Sequence, residues 1–138
     1  MRIRRPTTDE AKRLKEFDPF LGERRIDNWR GELFVAADAE NILGYITFSS
    51  SMFYNRPFIS LLFVREAFRR QSIGTALIRR VLDLYEGLEV WISTEAVNEP
   101  AIRMFTGLGF RSAGRVEGLD GEGSVELFFK HPANNGGR

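Results

Sequence analysis

The sequence predicts an α/β domain built on one mixed sheet, and three observations carry that prediction. The apolar runs FISLLFV (58–64) and LEVWIS (88–93) indicate short buried strands. Each run is followed by a segment whose apolar residues recur at helical spacing. The chain then closes with FRSAGRV and SVELFFK, which indicate a hairpin around LDGEG (119–123). Two strand-to-helix crossovers in the middle of the chain therefore suggest a mixed sheet with helices packed against it.

The first half of the chain is expected to supply the outer strands and two helices. Turn-forming residues at DAEN (38–41) separate two strand-like runs, and Thr7 or Thr8 can cap a helix with Ala11, Leu14 and Phe17 on one side. In order, we expect a strand over 2–5, that helix, a short helical or irregular piece over 23–29, and strands over 32–37 and 42–49.

The second half is expected to hold the central elements. FISLLFV should be buried on both faces. A helix over 73–85 places apolar residues on one face and turns Arg79, Arg80 and Asp83 away from it. A last helix begins after Asn98, its N-cap. The apolar face of the first helix comprises Ile73, Leu77, Val81 and Leu84. Residues 1–130 then form one domain, and 131–138 a mobile tail.

Composition excludes several chemistries. The 138 residues contain no cysteine, so disulfides, thiolate metal sites and cysteine-bound intermediates are impossible. The one histidine, His131, lies near the end of the chain and is expected to be a surface residue. A net charge of +1 argues against a dedicated nucleic-acid binder. The N-terminus lacks the apolar run of a signal peptide, and residues 41–55 are too short and polar to span a bilayer. We expect a cytoplasmic protein with no bound metal and no membrane or nucleic-acid partner.

The segment AFRRQSIGTALIRR (67–80) is the main candidate for a ligand site. A helix N-terminus presents free N–H groups and the positive end of the helix dipole. Here the preceding loop adds Arg69 and Arg70, Ser72 and Thr75 offer hydroxyls, and Gly74 leaves the backbone open. This pattern favours binding of a diphosphate, and an ordinary helix start with exposed arginines is the alternative.

Other ligand motifs fit less well. The P-loop pattern G-x-x-x-x-G-K-[ST] is absent. GLGFRSAG (107–114) has Ser112 where a dinucleotide fingerprint needs its third glycine, and it follows a helix. DGEGSVE (120–126) has Val125 where a calcium loop requires glycine, so a hairpin turn is favoured there.

FISLLFVREAFRRQSIGTALI (58–78) resembles the acetyl-CoA-binding core of the GNAT (GCN5-related) N-acetyltransferase superfamily, with its R/Q-x-x-G-x-G/A loop. NEPAIRMFTGLGF (98–110) resembles the next block of that family, an N-x-x-A helix ending in L-G-F. The two blocks occur in the family's order and cover about residues 57–113. The resemblance implies a GNAT-like fold, a central mixed antiparallel/parallel sheet flanked by about four helices.

The resemblance also implies a cofactor, acetyl-CoA, and the residues that bind it. Main-chain groups of Leu62, Phe63 and Val64 would bind the pantetheine arm as an added strand does, and amides around Gly74 would bind the pyrophosphate. The implied cofactor residues are Leu62, Phe63, Val64, Arg69, Arg70, Gln71, Ser72, Ile73, Gly74, Thr75, Asn98 and Phe105.

Two positions depart from the family pattern. Ser72 replaces the usual first glycine of the loop, which predicts altered cofactor contact without loss of binding. Phe105 replaces a tyrosine that in many members protonates the leaving CoA thiolate. A phenyl ring has no proton to give, so water or another group must supply it, or the thiolate leaves unaided.

The chemistry requires a neutral amine and a polarised thioester carbonyl. The main-chain N–H near Val64 is the expected donor to that carbonyl. Ser60 stands where many relatives carry a glutamate, so the base is sought elsewhere. Glu95 is the first candidate, with Ser93 and Thr94 able to order a water beside it. A solvated loop carboxylate is the competing interpretation of Glu95. Glu32 and Glu126 lie on strands of undetermined facing.

The acceptor side is expected in SSSMFYNRPF (49–58), the turn before the central strand. Phe53 and Tyr54 would form an aromatic wall, with Trp29 a further contact; simple cover for the sheet edge is the alternative. The leading function is acetyl transfer from acetyl-CoA directly to a primary amine on a small molecule or a protein, with a homodimer as one open assembly state. The alternatives are an acyl-CoA-binding sensor without efficient catalysis and, third, a nucleotide- or nucleic-acid-binding domain using arginines 69, 70, 79 and 80.

Overall fold

The computed structural model describes residues 1–16 and 25–133. Within these ranges seven strands and four helices follow one another in the predicted order, with 3₁₀ turns at Leu14–Glu16 and Glu66–Phe68. The strands are β1 (Arg2–Arg4), β2 (Leu33–Ala37), β3 (Ile42–Phe53), β4 (Arg56–Val64), β5 (Val90–Glu95), β6 (Arg111–Glu117) and β7 (Val125–His131). The helices are α1 (Thr8–Arg13), α2 (Arg25–Trp29), α3 (Ile73–Leu84) and α4 (Glu99–Gly107).

The strands form one mixed sheet in the order β1-β2-β3-β4-β5-β7-β6. β1 pairs with β2, and β2 with β3, in antiparallel fashion. β4 and β5 are parallel, registered at Phe58–Trp91 and Ile59–Ile92. β7 runs antiparallel to both β5 and β6, so the last hairpin places β7 beside β5. The predicted α/β class, with a mixed sheet and four helices, is confirmed.

The chain divides into two compact units. Unit 1 comprises Met1–Ser49 and Ser60–Val81, and unit 2 comprises Ser50–Ile59 and the chain from Leu82 onward. The expectation of one domain over residues 1–130 stays a prediction. Each unit is described by itself below.

Helix α1 closes the core of unit 1. Thr7 caps the helix, and its hydroxyl and the Glu10 side chain each accept a hydrogen bond from the other's backbone N–H, as the predicted cap requires. Ala11 and Leu14 are buried against a cluster from the sheet, whereas Phe17 lies outside the described residues. The cluster comprises Leu33, Val35 and Tyr45, with Ile42, Leu61 and Phe63 packed against it.

The outward face predicted for α3 is wrong at Arg80, and its inward face is wrong at Leu84. The Arg80 guanidinium lies 4.6 Å from the centroid of the Phe34 ring, because a long side chain can lay its stem on apolar surface and place its charge over an aromatic face. Leu84 is 39% exposed, and Ile78 and Leu82 complete the buried side of the helix instead. Arg79 and Asp83 are exposed as predicted.

Strand β4 is less buried than its apolar run predicts. Ile59 is buried, but Ser60 is exposed and the following four residues are half-buried, so burial on both faces is wrong. Apolarity shows that a strand can be covered but not what covers it. Ser60 shares a 2.9 Å hydroxyl–hydroxyl hydrogen bond with Thr47 of β3.

The β3–β4 connection is shorter than expected. β3 continues to Phe53, so Met52 and Phe53 belong to a strand and not to a turn. Only Tyr54 and Asn55 lie between the strands, and both have positive φ, 52° and 60°. Paired left-handed residues suit tight hairpin turns, and Asn tolerates this conformation well.

In unit 2, α4 packs through Phe105 onto the sheet. The Phe105 ring, 4% exposed, contacts Phe110 and Phe129 at centroid distances of 5.9 and 5.6 Å. Asn98 caps the helix as predicted. His131, assigned to the tail by sequence, is instead the last residue of β7; its Nε2 lies 3.1 Å from the Leu108 carbonyl oxygen. The expected surface position of His131 is therefore wrong, because the ring closes against the end of α4; residues 134–138 lie outside the described chain.

Candidate functional site

The loop between β4 and α3 has an unusual backbone. Arg70 and Ser72 both have positive φ, 70° and 61°, while Arg69, directly after the 3₁₀ turn Glu66–Phe68, is extended. Non-glycine residues rarely adopt positive φ, so two of them within three residues mark a tightly turned loop. The twelve-residue helix α3 begins directly afterwards at Ile73, which adds its own free N–H groups. This segment, 69–75, is called the cofactor loop below.

Side chains of the cofactor loop divide into an anchor and an exposed rim. Arg69 Nε donates to the Val64 carbonyl at 2.9 Å, and its guanidinium lies 6.0 Å from the Phe63 ring centroid, so this side chain ties the loop to the end of β4. Arg70, Gln71 and Ser72 are exposed, which leaves them available to a ligand. Ile73 and Gly74 are buried and Thr75 is half-buried at the start of α3.

The end of β4 is held against β3 by backbone. Gly44 of β3 lies so near that a Cβ built on it would stand 2.5 Å from the Phe63 carbonyl oxygen and 3.0 Å from Val64 Cα. The Arg65 N–H then donates to the Leu43 carbonyl at 2.9 Å. Unit 1 thus brings Phe63, Val64 and the loop's Arg69 together around one strand end, with Leu62 half-buried beside them.

Carboxylates gather on one face of unit 2. Ser93 Oγ donates to Glu126 Oε2 at 2.7 Å, and Glu95 is the cross-strand partner of Glu126 between β5 and β7. Asp120, from the β6–β7 turn, hydrogen-bonds the Glu95 side chain. Unit 2 therefore brings the predicted Ser93 and Glu95 together, and it adds Glu126 and Asp120.

The pKa of Glu95 is raised above its ordinary value. The hydrogen bond with Asp120 is the largest cause, followed by the negative charge of Asp120, partial burial, and the charge of Glu126. A hydrogen bond between two carboxyl groups requires one of them to hold a proton, so the cluster resists full ionisation.

The side chain of Asn98 is engaged locally. Its Oδ1 accepts from the Ala101 N–H at 3.3 Å and its Nδ2 donates to Thr94 Oγ1 at 3.2 Å. These two bonds fix the entry of α4 relative to the end of β5. Phe105, one of the predicted cofactor residues, contributes a buried ring to the core of unit 2.

The family model described as "Acetyltransferase (GNAT) family" matches residues 2–110 of the chain. The chain belongs to the GNAT acetyltransferase family. Among curated proteins it is similar to N-alpha-acetyltransferase 30 of Xenopus laevis, at 33% identity over 91 residues, which are 62% of this chain and 33% of the relative. The chain thus spans about a third of the length of that relative, and it spans 25% of the human protein of the same name.

Solved structures show the same fold. A GNAT-family acetyltransferase from Bacillus cereus superposes with a TM-score of 0.79 at 23% identity, covering 96% of each chain. The ribosomal-protein-S18-alanine N-acetyltransferase of Escherichia coli gives 0.77 at 18% identity, covering 99% of this chain and 96% of that one. A putative streptothricin acetyltransferase from Bacillus anthracis, solved in complex with acetyl coenzyme A, gives 0.62 at 17% identity, covering 72% and 60%.

The backbone of this GNAT protein accounts for its departure at Ser72. The family's first loop glycine falls on a residue with φ of 61°, a conformation that glycine adopts without steric cost and other residues adopt at about 1 kcal/mol or somewhat more. Serine adopts this positive φ here, and Arg70 also has a positive φ, of 70°. The loop therefore keeps the shape that its glycine would favour.

Sequence reasoning missed most of an aromatic cluster on unit 2. Phe53 is a predicted acceptor residue, whereas the sequence predicts strands but no facing for its neighbours. The Phe53 ring centroid lies 4.7 Å from that of Phe58, 5.4 Å from that of Trp91 and 6.1 Å from that of Phe128. The period-two alternation of Trp91, Ser93 and Glu95, opposite Lys130, Phe128 and Glu126, was the signal that could have found it.

The remaining predicted acceptor residues are exposed. Tyr54, at the β3–β4 turn, is 80% exposed and packs edge-on to Phe53 at 5.4 Å. Trp29, at the end of α2, is 85% exposed. Neither is held rigidly by the contacts just given.

The described residues contain neither a metal-binding cluster nor a membrane-spanning helix. In 1–16 and 25–133, no group of three or more His, Asp and Glu side chains is arranged to hold a metal ion. The same ranges include no helix of the length and apolarity needed to cross a membrane.

Proposed function

We propose that the protein is an acetyl-CoA-dependent N-acetyltransferase that moves the acetyl group directly to a primary amine. The observation that carries the proposal is the cofactor loop, in which Arg70 and Ser72 with positive φ lead directly into the N-terminus of α3, whose free N–H groups would bind the CoA pyrophosphate. Membership of the GNAT family and similarity to an N-alpha-acetyltransferase support the same activity.

The cofactor would be held mainly by backbone. Amides from Arg70 to Thr75 would bind the pyrophosphate, with the Arg70 side chain free to pair with it. Leu62, Phe63 and Val64 would bind the pantetheine arm, and the Val64 N–H would polarise the thioester carbonyl. Asn98 and Phe105 complete the proposed set, Asn98 by ordering the start of α4 and Phe105 through its ring.

The acceptor must lose a proton before it attacks, because an alkylammonium has a pKa of about 10.4. Glu95 is the proposed base, and the rise in its pKa moves it toward the working pH, as general-base catalysis favours. Ser93, which donates to Glu126, would keep the second carboxylate oriented beside it. The neutral amine nitrogen then bonds to the acetyl carbon as the C–S bond breaks. The nitrogen passes its second proton to water, and the departing CoA thiolate takes a proton from water, since Phe105 has none to give.

We also propose an acceptor class, a cellular location and an assembly state. The acceptor is a small-molecule or protein amine with Phe53, Tyr54 and Trp29 as candidate contacts, the location is the cytoplasm, and a homodimer is open to the chain. Cell fractionation and sedimentation of the expressed protein test the last two.

Calorimetric titration with acetyl-CoA tests the function first, with CoA, NAD and ATP as controls. We expect micromolar binding of acetyl-CoA and CoA alone, followed by thiol release in the presence of amines. The chain has no cysteine, so every thiol detected comes from CoA. Binding of acetyl-CoA without thiol release in the presence of any amine would instead support an acyl-CoA sensor. Absence of acetyl-CoA binding would overturn both the transferase and the sensor.

A further inference from the structure

Four rings on one face of the unit 2 sheet form a continuous surface, the aromatic platform: Phe53, Phe58, Trp91 and Phe128. Phe53 stacks nearly parallel to Phe128, with 12° between ring planes, and Phe58 lies 6.2 Å from Phe128. All four side chains remain partly exposed. Four strands, β3, β4, β5 and β7, each contribute one ring.

The platform is held in a defined orientation. Trp91 Nε1 donates to Glu89 Oε1 at 2.8 Å. Glu89 is itself placed between Arg56 and Lys130, at 3.5 and 3.9 Å, and the Lys130 ammonium lies 5.8 Å from the Trp91 ring centroid. A rigid aromatic surface binds an apolar group with little ordering cost.

The platform continues directly into the carboxylate cluster. On β7, Phe128 and Glu126 are two residues apart, and on β5, Trp91, Ser93 and Glu95 are similarly spaced. Alternate residues on a strand share a face and lie roughly 7 Å apart. The same face therefore changes from aromatic to anionic over one such step on β7 and over two on β5, where Ser93 lies between Trp91 and Glu95.

This spacing matches one kind of amine. A positive amine at Glu95 and Glu126 would place a neighbouring apolar side chain over Phe128 if that side chain reached roughly one strand step, and Trp91 would border it at the next step. Leucine, methionine and phenylalanine side chains reach most of this distance from their own α-amine, whereas the alanine methyl carbon lies only about 2.5 Å from it. A polyamine has no apolar side chain for the platform.

We propose that the aromatic platform binds the first side chain of the acceptor, so that the preferred acceptor is a peptide N-terminus whose first residue is large and apolar. The proposal rests on the proposed acetyl transfer. It assigns Phe58, Trp91 and Phe128 as specificity residues, and it assigns Glu126 to hold the incoming ammonium beside Glu95.

A matched peptide series tests the preference. The series comprises four peptides built on a common sequence. Three differ only in the first residue, which is Leu, Phe or Ala, and the fourth has an acetylated N-terminus and one internal lysine. Thiol release with acetyl-CoA should give kcat/KM at least tenfold higher for the Leu and Phe peptides than for the Ala peptide, the usual size of a pocket's discrimination between apolar side chains. The lysine peptide should be the poorest. Equal rates for Leu and Ala, or preference for lysine, would overturn the proposal.

Two conservative variants locate the preference. Phe128→Leu and Trp91→Phe shrink the platform and keep it apolar, and both should bring the Leu/Ala ratio of kcat/KM to threefold or less. Leu88→Ala removes an apolar side chain that is 52% exposed in unit 2 and outside the platform, and it should keep the full ratio. An unchanged ratio in both platform variants would contradict the assignment.

Direct binding separates the two ways of failing. If no peptide is acetylated, calorimetry with the Leu peptide and its N-acetylated form still reports on the platform. If the Leu peptide with a free N-terminus binds and Phe128→Leu weakens that binding, the platform assignment stands although acetyl transfer fails. Acetylation that ignores the first residue would retain the transferase and remove the platform.

Discussion

The cofactor loop and the aromatic platform would recognise their proposed ligands by opposite means. In the loop, two residues in left-handed conformation and a helix start present N–H groups, and the exposed side chains form only a rim. On the platform, four rings from four strands present their faces, while the backbone is occupied in the sheet ladder. A site of the first kind should depend on conformation, and a site of the second kind on side-chain size.

This contrast explains how each site tolerates substitution. Ser72 stands in for glycine because the backbone geometry survives the exchange. A ring of the platform would have no equivalent freedom, because its area is what the proposed ligand would contact. Mutations can therefore separate the two sites by the kind of change that each one resists.

The largest effect is expected from Gly74→Val. A β-branched side chain at the second position of α3 stands where the proposed pyrophosphate approaches the backbone. Calorimetry should show acetyl-CoA affinity reduced more than tenfold, with the circular dichroism spectrum unchanged. Ser72→Gly is the matched control, since it alters a side chain and keeps the conformation, and it should bind like the parent. Parent-like affinity in Gly74→Val would remove the loop from the cofactor site.

Gly44→Ala should lower the free energy of unfolding by about 1–3 kcal/mol, the usual cost of overpacking. The new Cβ would stand 2.5 Å from the Phe63 carbonyl oxygen, so the end of β4 has to move. Urea denaturation measures the loss. Gly107→Ala meets nothing within 4 Å and is the control, expected to be neutral or slightly stabilising. Equal stability of the two variants would show that β3 and β4 separate freely here.

On the platform's anionic side, Asp120→Asn should shift the acid limb of the rate profile. Asp120 raises the pKa of Glu95 through a hydrogen bond and a like charge, so its neutralisation lowers that pKa and extends activity to lower pH. The pH dependence of kcat/KM reports the change, and Glu95→Gln should abolish the limb. If Asp120→Asn leaves the acid limb at the same pH, the limb reports the ionisation of a group other than Glu95.

The smallest effect is expected at the Arg4–Glu10 ion pair, which belongs to neither site. Arg4 hydrogen-bonds both oxygens of Glu10, at 2.8 and 3.0 Å, and lowers its pKa to about 2. The folded-state pKa lies below the unfolded value of about 4.3, so the stabilisation is complete above that value and disappears as pH falls toward 2. Glu10→Gln keeps a side chain able to form the capping box and removes the charge.

Glu10→Gln should therefore cost about 1 kcal/mol at pH 7, a value reduced by solvent screening of the partly exposed pair. The difference from the parent should vanish near pH 2. Urea midpoints measured between pH 2 and pH 7 test this, and a constant difference across that range would show that the charge contributes nothing.

The cofactor loop was predictable because its information is local. Arginines, a serine, a glycine and a helix start follow one another within 69–75, and their proximity in space needs no knowledge of strand order. What sequence did not show is the left-handed backbone at Arg70 and Ser72. A non-glycine residue gives no advance sign that it adopts positive φ.

The platform was not predictable because strand facing depends on pairing. A shift of one residue in register exchanges the two faces of a strand, and β7 enters the sheet between β5 and β6. The sequence therefore leaves the facing of Glu126 open. It overestimates the burial of β4 and predicts an outward Arg80 for a related reason, since composition does not reveal what packs on a surface.

The hydrogen bond from Trp91 to Glu89 also gives the molecule an internal optical reporter. The chain has two tryptophans, and Trp29 is 85% exposed while Trp91 is half-buried with its indole N–H engaged. An aqueous quencher should reduce the emission of Trp29 first, so the emissions of the two tryptophans can be distinguished. The protected emission then comes from a ring of the platform, so occupancy of the platform can be followed without attaching a dye.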